Sequence, residues 1–192
     1  MSFDSSLATG RSTTGIPNGR LAMWTLLASE IVIFGGLVVA YLLFRFHNAY
    51  WAVEASHTNV VTGSLNALIL LTSSLLIVLA QNAAEAGDGK QAAKLMLGTL
   101  GGGFIFLGVK TFEYANEIHH GFTIAANPFW SFYYTATAIH SSHVIAGMIA
   151  IYVVSLGAAK GKNLQRVELC GIYWHFVDLV WILLFPLLYV VK

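Results

Sequence analysis

Three pairs of ionisable side chains stand three residues apart inside apolar runs of this chain: Lys110 with Glu113, His140 with His143, and His175 with Asp178. In a helix that spacing places both members of a pair on one face. Glu30 stands alone in an earlier run, and Asn66, Ser73 and Ser74 add uncharged donors and acceptors in the next. An aspartate near a bilayer centre costs roughly 2.5–3.5 kcal/mol on insertion scales, so such groups face a protein interior and have partners. Three chemistries suit them. His-x-x-His and His-x-x-Asp on neighbouring helices are adequate ligands for zinc, iron or manganese, facing histidines can hold a haem, and a Glu/His/Asp chain can relay protons.

The spacings weigh against the first two. A di-iron membrane hydroxylase needs several histidine boxes, whereas this chain has one pair within an apolar run, and His119-His120 falls in a polar break without supporting carboxylates. Two histidines three apart cannot ligate one iron from opposite sides, and only one facing set is present. The single cysteine, Cys170, excludes an intrachain disulfide, a Cys-x-x-Cys zinc site, c-type haem attachment and an iron–sulfur cluster held by this chain alone. Against a proton relay stands a hydrogen-bonded interior that fixes helix register, and the polar residues are too few and too paired to demand more.

The elements that position these residues follow from composition. Of 192 residues 57% are hydrophobic and only 10% charged, with a mean hydropathy of +0.70, far from the roughly 25% charged residues of soluble domains. The formal net charge is +1 and no large Lys/Arg cluster occurs, so neither nucleic acid nor an anionic surface is implied as a principal partner. About 20 apolar residues cross a hydrocarbon core as a helix, and five segments reach that length: 21–46, 59–82, 92–116, 129–158 and 168–191. The expected fold is an all-α integral membrane protein, a bundle of five transmembrane helices in one domain over 21–192, behind a polar cytoplasmic tail over 1–20 that lacks the apolar core of a signal peptide. Arg11, Arg20, Lys90, Lys94, Lys160, Lys162 and Arg166 fall on the side of the N-terminus against Arg45 and Lys192 on the other. That excess predicts a cytoplasmic N-terminus and an external C-terminus.

Small residues predict close helix contacts at Gly35 and Gly36, at Gly98, Gly101, Gly102 and Gly103, and at Ser142, Ala146 and Gly147. Pro186 should free the carbonyl of Ile182 and bend the last turns of the fifth helix. Counted from Leu21, Glu30 lies roughly 14 Å into the first helix, near mid-membrane.

The order of motifs is distinctive. Ala28-Ser29-Glu30 with Phe34, Leu65-Asn66 with Leu70-Leu71-Thr72-Ser73-Ser74, Lys110-Thr111-Phe112-Glu113-Tyr114, His140-Ser141-Ser142-His143-Val144-Ile145-Ala146-Gly147 and Tyr173-Trp174-His175-Phe176-Val177-Asp178-Leu179-Val180-Trp181 together resemble, from residue 21 to the end, subunit III of the haem–copper respiratory oxidases in its short five-helix form. The resemblance implies an accessory subunit without catalytic, cofactor or metal residues of its own, in the cytochrome c oxidase of a prokaryotic inner membrane. Haem and copper would sit in partner subunits, namely subunit I and with it subunit II and others, within a respiratory supercomplex where one forms. It further implies bound phospholipid and support of proton uptake by the core. A quinol oxidase subunit III, the related accessory protein of nitric oxide reductase and, from another class, a membrane cytochrome or metalloenzyme remain as alternatives. Glu30 takes the place of the membrane-embedded carboxylate of the first short-form helix. Glu113, His140, His143, Trp174, His175 and Asp178 take motif places in the later helices, and Asn66 in the second. Lys110 departs from the family, which usually has an uncharged polar residue there.

Overall fold

A computed structural model of the chain describes residues 17–191. Most of the 1–20 tail therefore lies outside the described residues, as do Arg11 and Lys192. The described residues form six α-helices, α1 (Asn18–His47), the short α2 (Trp51–Ala55), α3 (Val60–Glu85), α4 (Gly89–His119), α5 (Pro128–Ala158) and α6 (Gln165–Phe185), with a π-helical turn at Pro186–Val190 and no β-strand. Five of these helices, counting α6 with its π-helical extension to Val190, are long and apolar enough to cross a membrane. They correspond to the five segments expected, with each end within three residues of the sequence boundary. Asn18–Arg20, expected in the tail, already belong to α1.

Local chemistry sets the helix starts. Asn59 Oδ1 accepts from the backbone N–H of Val61 at 3.0 Å and of Thr62 at 3.2 Å, Asp88 Oδ1 from Gln91 at 2.9 Å, and Asn127 Oδ1 from Trp130 at 3.2 Å with Pro128 at the first helical position. Each satisfies N–H groups that a helix start leaves without partners. Between α3 and α4 the chain reverses through Gly87, whose φ of 82° only glycine adopts without strain.

Helices α3, α4, α5 and α6 pack as a ring, α3 on α4, α4 on α5, α5 on α6 and α6 back on α3, and α1 leans mainly on α6 and more lightly on α5. In α1 the buried residues are Leu27, Phe34 and Tyr41, one narrow stripe at seven-residue spacing. The rest of its apolar surface faces outward, as suits a helix in lipid. The ring is filled by aromatics: Trp51, Trp130, Trp174, Trp181, Tyr133, Tyr189, Phe106 and Phe129 are fully buried.

Glycine contacts occur at part of the positions expected. A Cβ added at Gly102 would lie 2.6 Å from Ser73 Cβ, at Gly103 2.8 Å from Met148 Sδ, and at Gly147 3.0 Å from Trp174 Cε3. At Gly35, Gly36 and Gly101 it would meet nothing within 4 Å, and Ser142 and Ala146 are exposed. These five were expected at helix contacts, and the structure corrects that: they lie on outward faces of α1, α4 and α5, which no other helix among the described residues covers. Pro186 does mark a break, although as a switch of helix type. The N–H of Val191 donates to the Pro186 carbonyl at 2.8 Å across five residues, and the wider turn buries Leu188 and Tyr189.

Candidate functional site: a polar interior among five helices

Lys110, on α4, stands at the centre of the interior. Its Nζ donates to Glu113 Oε2 at 3.0 Å, to Tyr133 Oη on α5 at 3.1 Å and to Tyr189 Oη in the π turn at 2.9 Å. An ammonium has three N–H donors, and each finds an acceptor on a different part of the bundle. The rings of Tyr114, Tyr133 and Trp181 surround the same nitrogen with centroids 4.8–5.6 Å away, within the range of cation–π attraction. Both members of the Lys110–Glu113 pair have side chains 3% exposed. Glu117 is also buried, one turn beyond Glu113 on the same face, and Tyr114 and Thr137 join α4 to α5 through their hydroxyls.

A second contact fastens α1. Glu30 Oε2 and His143 Nε2 lie 2.9 Å apart, while His143 Nδ1 lies 2.8 Å from the Ile139 carbonyl. A carbonyl only accepts, so Nδ1 carries the hydrogen there. Phe34 packs edge-on against the His143 ring at 5.2 Å, and Tyr173 Oη donates to the His143 carbonyl at 3.4 Å. The free carbonyls at the end of the bundle are taken by the first third of the chain. Tyr41 Oη donates to Leu187 O, Thr58 Oγ1 to Leu188 O at 3.2 Å and Arg45 Nη1 to Val191 O at 2.8 Å. Trp130 Nε1 donates to Glu54 Oε2 at 2.8 Å, tying α2 to α5.

A third set joins α3 to α6. Trp174 Nε1 donates to Ser73 Oγ at 3.1 Å and His175 Nδ1 lies 2.6 Å from Ser74 Oγ. Trp174 is completely buried between Gly103 and Gly147. Asp178, one turn on, is 4% exposed and lies beside Ser74, but neither of its oxygens makes a hydrogen bond among the described residues. The same holds for both side-chain polar atoms of Asn66 and both ring nitrogens of His140.

The sequence pairs thus separate into distinct environments. Lys110 and Glu113 pair as their spacing allows. His140 points into the ring, packed against Phe106 at 5.4 Å and Trp181 at 5.2 Å, whereas His143 points to α1. His175 and Asp178 both face α3, where Ser74 bonds His175 and Asp178 lies beside it without a hydrogen bond. Among the described residues no three His, Cys, Asp or Glu side chains cluster as a metal site. Sequence reasoning missed Tyr133, Tyr189, Glu54 and Glu117. Glu117 was legible as the third charge on the Lys110 face, had α4 been extended past residue 116. The tyrosines carry no spacing signal because they come from other helices.

The sequence matches the family of cytochrome c oxidase subunit III over residues 4–192. The chain belongs to this family. It is 35% identical over 175 residues to cytochrome c oxidase subunit 3 of Thermostichus vulcanus, covering 88% of this chain and 86% of that protein. It is 33% identical over 181 residues to cytochrome c oxidase subunit 3 of Bacillus subtilis, covering 90% and 86%. A third relative, the heme-copper oxidase subunit I+III of Aeropyrum pernix, is 34% identical over 183 residues, which span 90% of this chain and 22% of that protein. Membership in the subunit III family makes the chain an accessory subunit of a haem–copper oxidase, a multi-pass membrane protein that works in a complex with other oxidase subunits.

Proposed function

We propose that this subunit III stabilises the catalytic subunit I of a cytochrome c oxidase from within the membrane, holds phospholipid, and supports proton uptake by the core without chemistry of its own. The observation that carries this reading is how the polar interior is used. Lys110, Glu113, Glu30, His143, Trp174 and His175 are all engaged in ties between helices or along one helix, which is how a scaffold holds its shape rather than how a reacting centre opens to substrate. Asn66, His140 and Asp178 act as buried packing positions at the core of the same ring. A protein whose name joins subunits I and III is among the relatives, which supports subunit I as the direct neighbour; in this reading subunit II and a supercomplex are further partners, and the partner subunits hold the haems and copper. The Lys/Arg excess just past the end of α5 and at the starts of α1, α4 and α6 supports an N-terminus in the cytoplasm of a prokaryotic cell and an external C-terminus.

The test is affinity purification of the full chain from its native membrane in mild detergent. Near-stoichiometric recovery of a haem–copper subunit, with the haem spectrum of an oxidase and turnover that declines faster when this chain is deleted, is the expected result. A monodisperse chain without such a partner overturns the proposal. Recovery of quinol oxidase or nitric oxide reductase subunits moves the chain to those complexes.

A further inference from the structure

Two apolar grooves run along opposite flanks of α4. One, of about 690 Å³, lies between α4 and α5 and is lined by Leu97, Gly101 and Leu107 from the first and Ile145, Ile149 and Tyr152 from the second. The other, of about 350 Å³, lies between α3 and α4 and is lined by Leu68, Thr72 and Leu76 from the first and Gly98, Gly102 and Ile105 from the second. They share Gly101, where an added Cβ would meet no atom within 4 Å. A strip of glycines therefore thins α4 into a low ridge with a channel on either side. α1 is elsewhere, against α6 and α5.

Position along the helix limits what can occupy the channels. From Leu97 to Leu107 is ten residues, roughly 15 Å at the α-helical rise, which is half of a hydrocarbon core about 30 Å thick. The middle of α4 (Gly89–His119) falls at Phe104 and that of α3 (Val60–Glu85) between Thr72 and Ser73, so the α4/α5 groove lies mostly in the leaflet toward the N-terminal end of α4, and the α3/α4 groove runs from that leaflet to just past the bilayer middle. A helix crossing the membrane needs a surface for its full length; an acyl chain needs one leaflet.

Charge selects the head group. Lys90, Lys94, Leu97 and Gly101 follow one another at four, three and four residues, a single face of α4. Both lysines are exposed and stand above the ridge, between the mouths of the two grooves, where α4 leaves the hydrocarbon. Lys160, just past the end of α5, adds a third cation at the same end. Of the nearby carboxylates, Asp88 is held as the cap of α4 and Glu85 faces a separate crevice beside Leu164 and Glu168. Lysines at a helix end above an intramembrane groove are a recognised basis for anionic lipid binding.

We infer that α4 carries a site for one anionic diacyl phospholipid, its two chains straddling the glycine ridge in the α3/α4 and α4/α5 grooves and its phosphate on Lys90 and Lys94. This rests on the reading of the chain as a lipid-holding membrane subunit and gives that reading a place and a charge. The probes are dioleoyl phosphatidylglycerol and dioleoyl phosphatidylcholine, exchanged into the delipidated native complex and counted per copy of this chain by native mass spectrometry. Expected is a preference for phosphatidylglycerol of roughly tenfold or more for two lysines, abolished by K90E/K94E and kept by K90R/K94R. Gly101→Leu, whose Cβ meets no neighbouring helix and whose side chain fills the groove, should lower retention of both lipids. Equal retention of the two lipids by the unaltered protein, or retention unchanged in K90E/K94E and Gly101→Leu, overturns the inference. So does loss of a partner chain instead of a lipid in Gly101→Leu, which would make the groove a protein interface. The count is per copy of this chain, so lipid selectivity without co-purifying oxidase subunits would refute the docking proposal and leave this one standing.

Discussion

Replacing Lys110 by methionine removes the charge and nearly preserves the volume, so it isolates the electrostatic role of the interior hub. The Glu113 carboxylate and the hydroxyls of Tyr133 and Tyr189 then lose their shared donor. Removing one partner of a buried ion pair costs about 3–5 kcal/mol because the other charge is left uncompensated. Three hydrogen bonds at the ~0.6 kcal/mol typical inside membrane bundles amount to about 2 kcal/mol. The two figures describe overlapping losses, and solvent screens little because both side chains are 3% exposed. A loss of ~3 kcal/mol is expected, on the order of a hundredfold in the folding equilibrium. K110M/E113Q, which also removes the stranded carboxylate, should recover about half of it, on the order of 1–2 kcal/mol. The assay is reversible unfolding of the full chain in mixed micelles, read on the wild type, both single variants and the double variant. A K110M protein within about 1 kcal/mol of wild type, or a double variant at the sum of the two singles, refutes the hub.

Three further outcomes follow from the packing. Glu30→Ala should loosen α1 selectively, because His143 is its polar tie to the ring at mid-length; amide exchange rising in α1 but not in α4 checks this, and uniform exchange contradicts it. Trp174→Ala should cost about 3–5 kcal/mol by opening a cavity between Gly103 and Gly147, measured as lowered thermal stability of the detergent-solubilised protein; a loss near zero would show that the site collapses freely. Gly35→Ala and Gly36→Ala should be neutral or stabilising by roughly 0.5–1 kcal/mol, whereas Gly102→Leu, forced against Ser73, should separate α3 from α4 and lower stability in the same measurement.

The sequence by itself determined the number of the long helices and, to within about three residues, where they run, because the length of an apolar run is a local property. It also determined the family, through motifs that remain in order along the chain. It brought Lys110 and Glu113 together, since partners three residues apart on one helix need no tertiary information. What only the tertiary structure decided is where each polar group ends. His143 turns to Glu30 and His140 to Trp181, although one spacing placed both on the same face, because sixty degrees of helix surface suffices to point two side chains at different neighbours. Tyr133 and Tyr189 reach Lys110 from 23 and 79 residues away, the second through a π turn begun by Pro186. Gly102 and Gly101 are adjacent and alike in sequence, yet one is a helix contact and the other an open groove. Which glycine is covered depends on the neighbour opposite it, and the register between helices is not written in either helix alone.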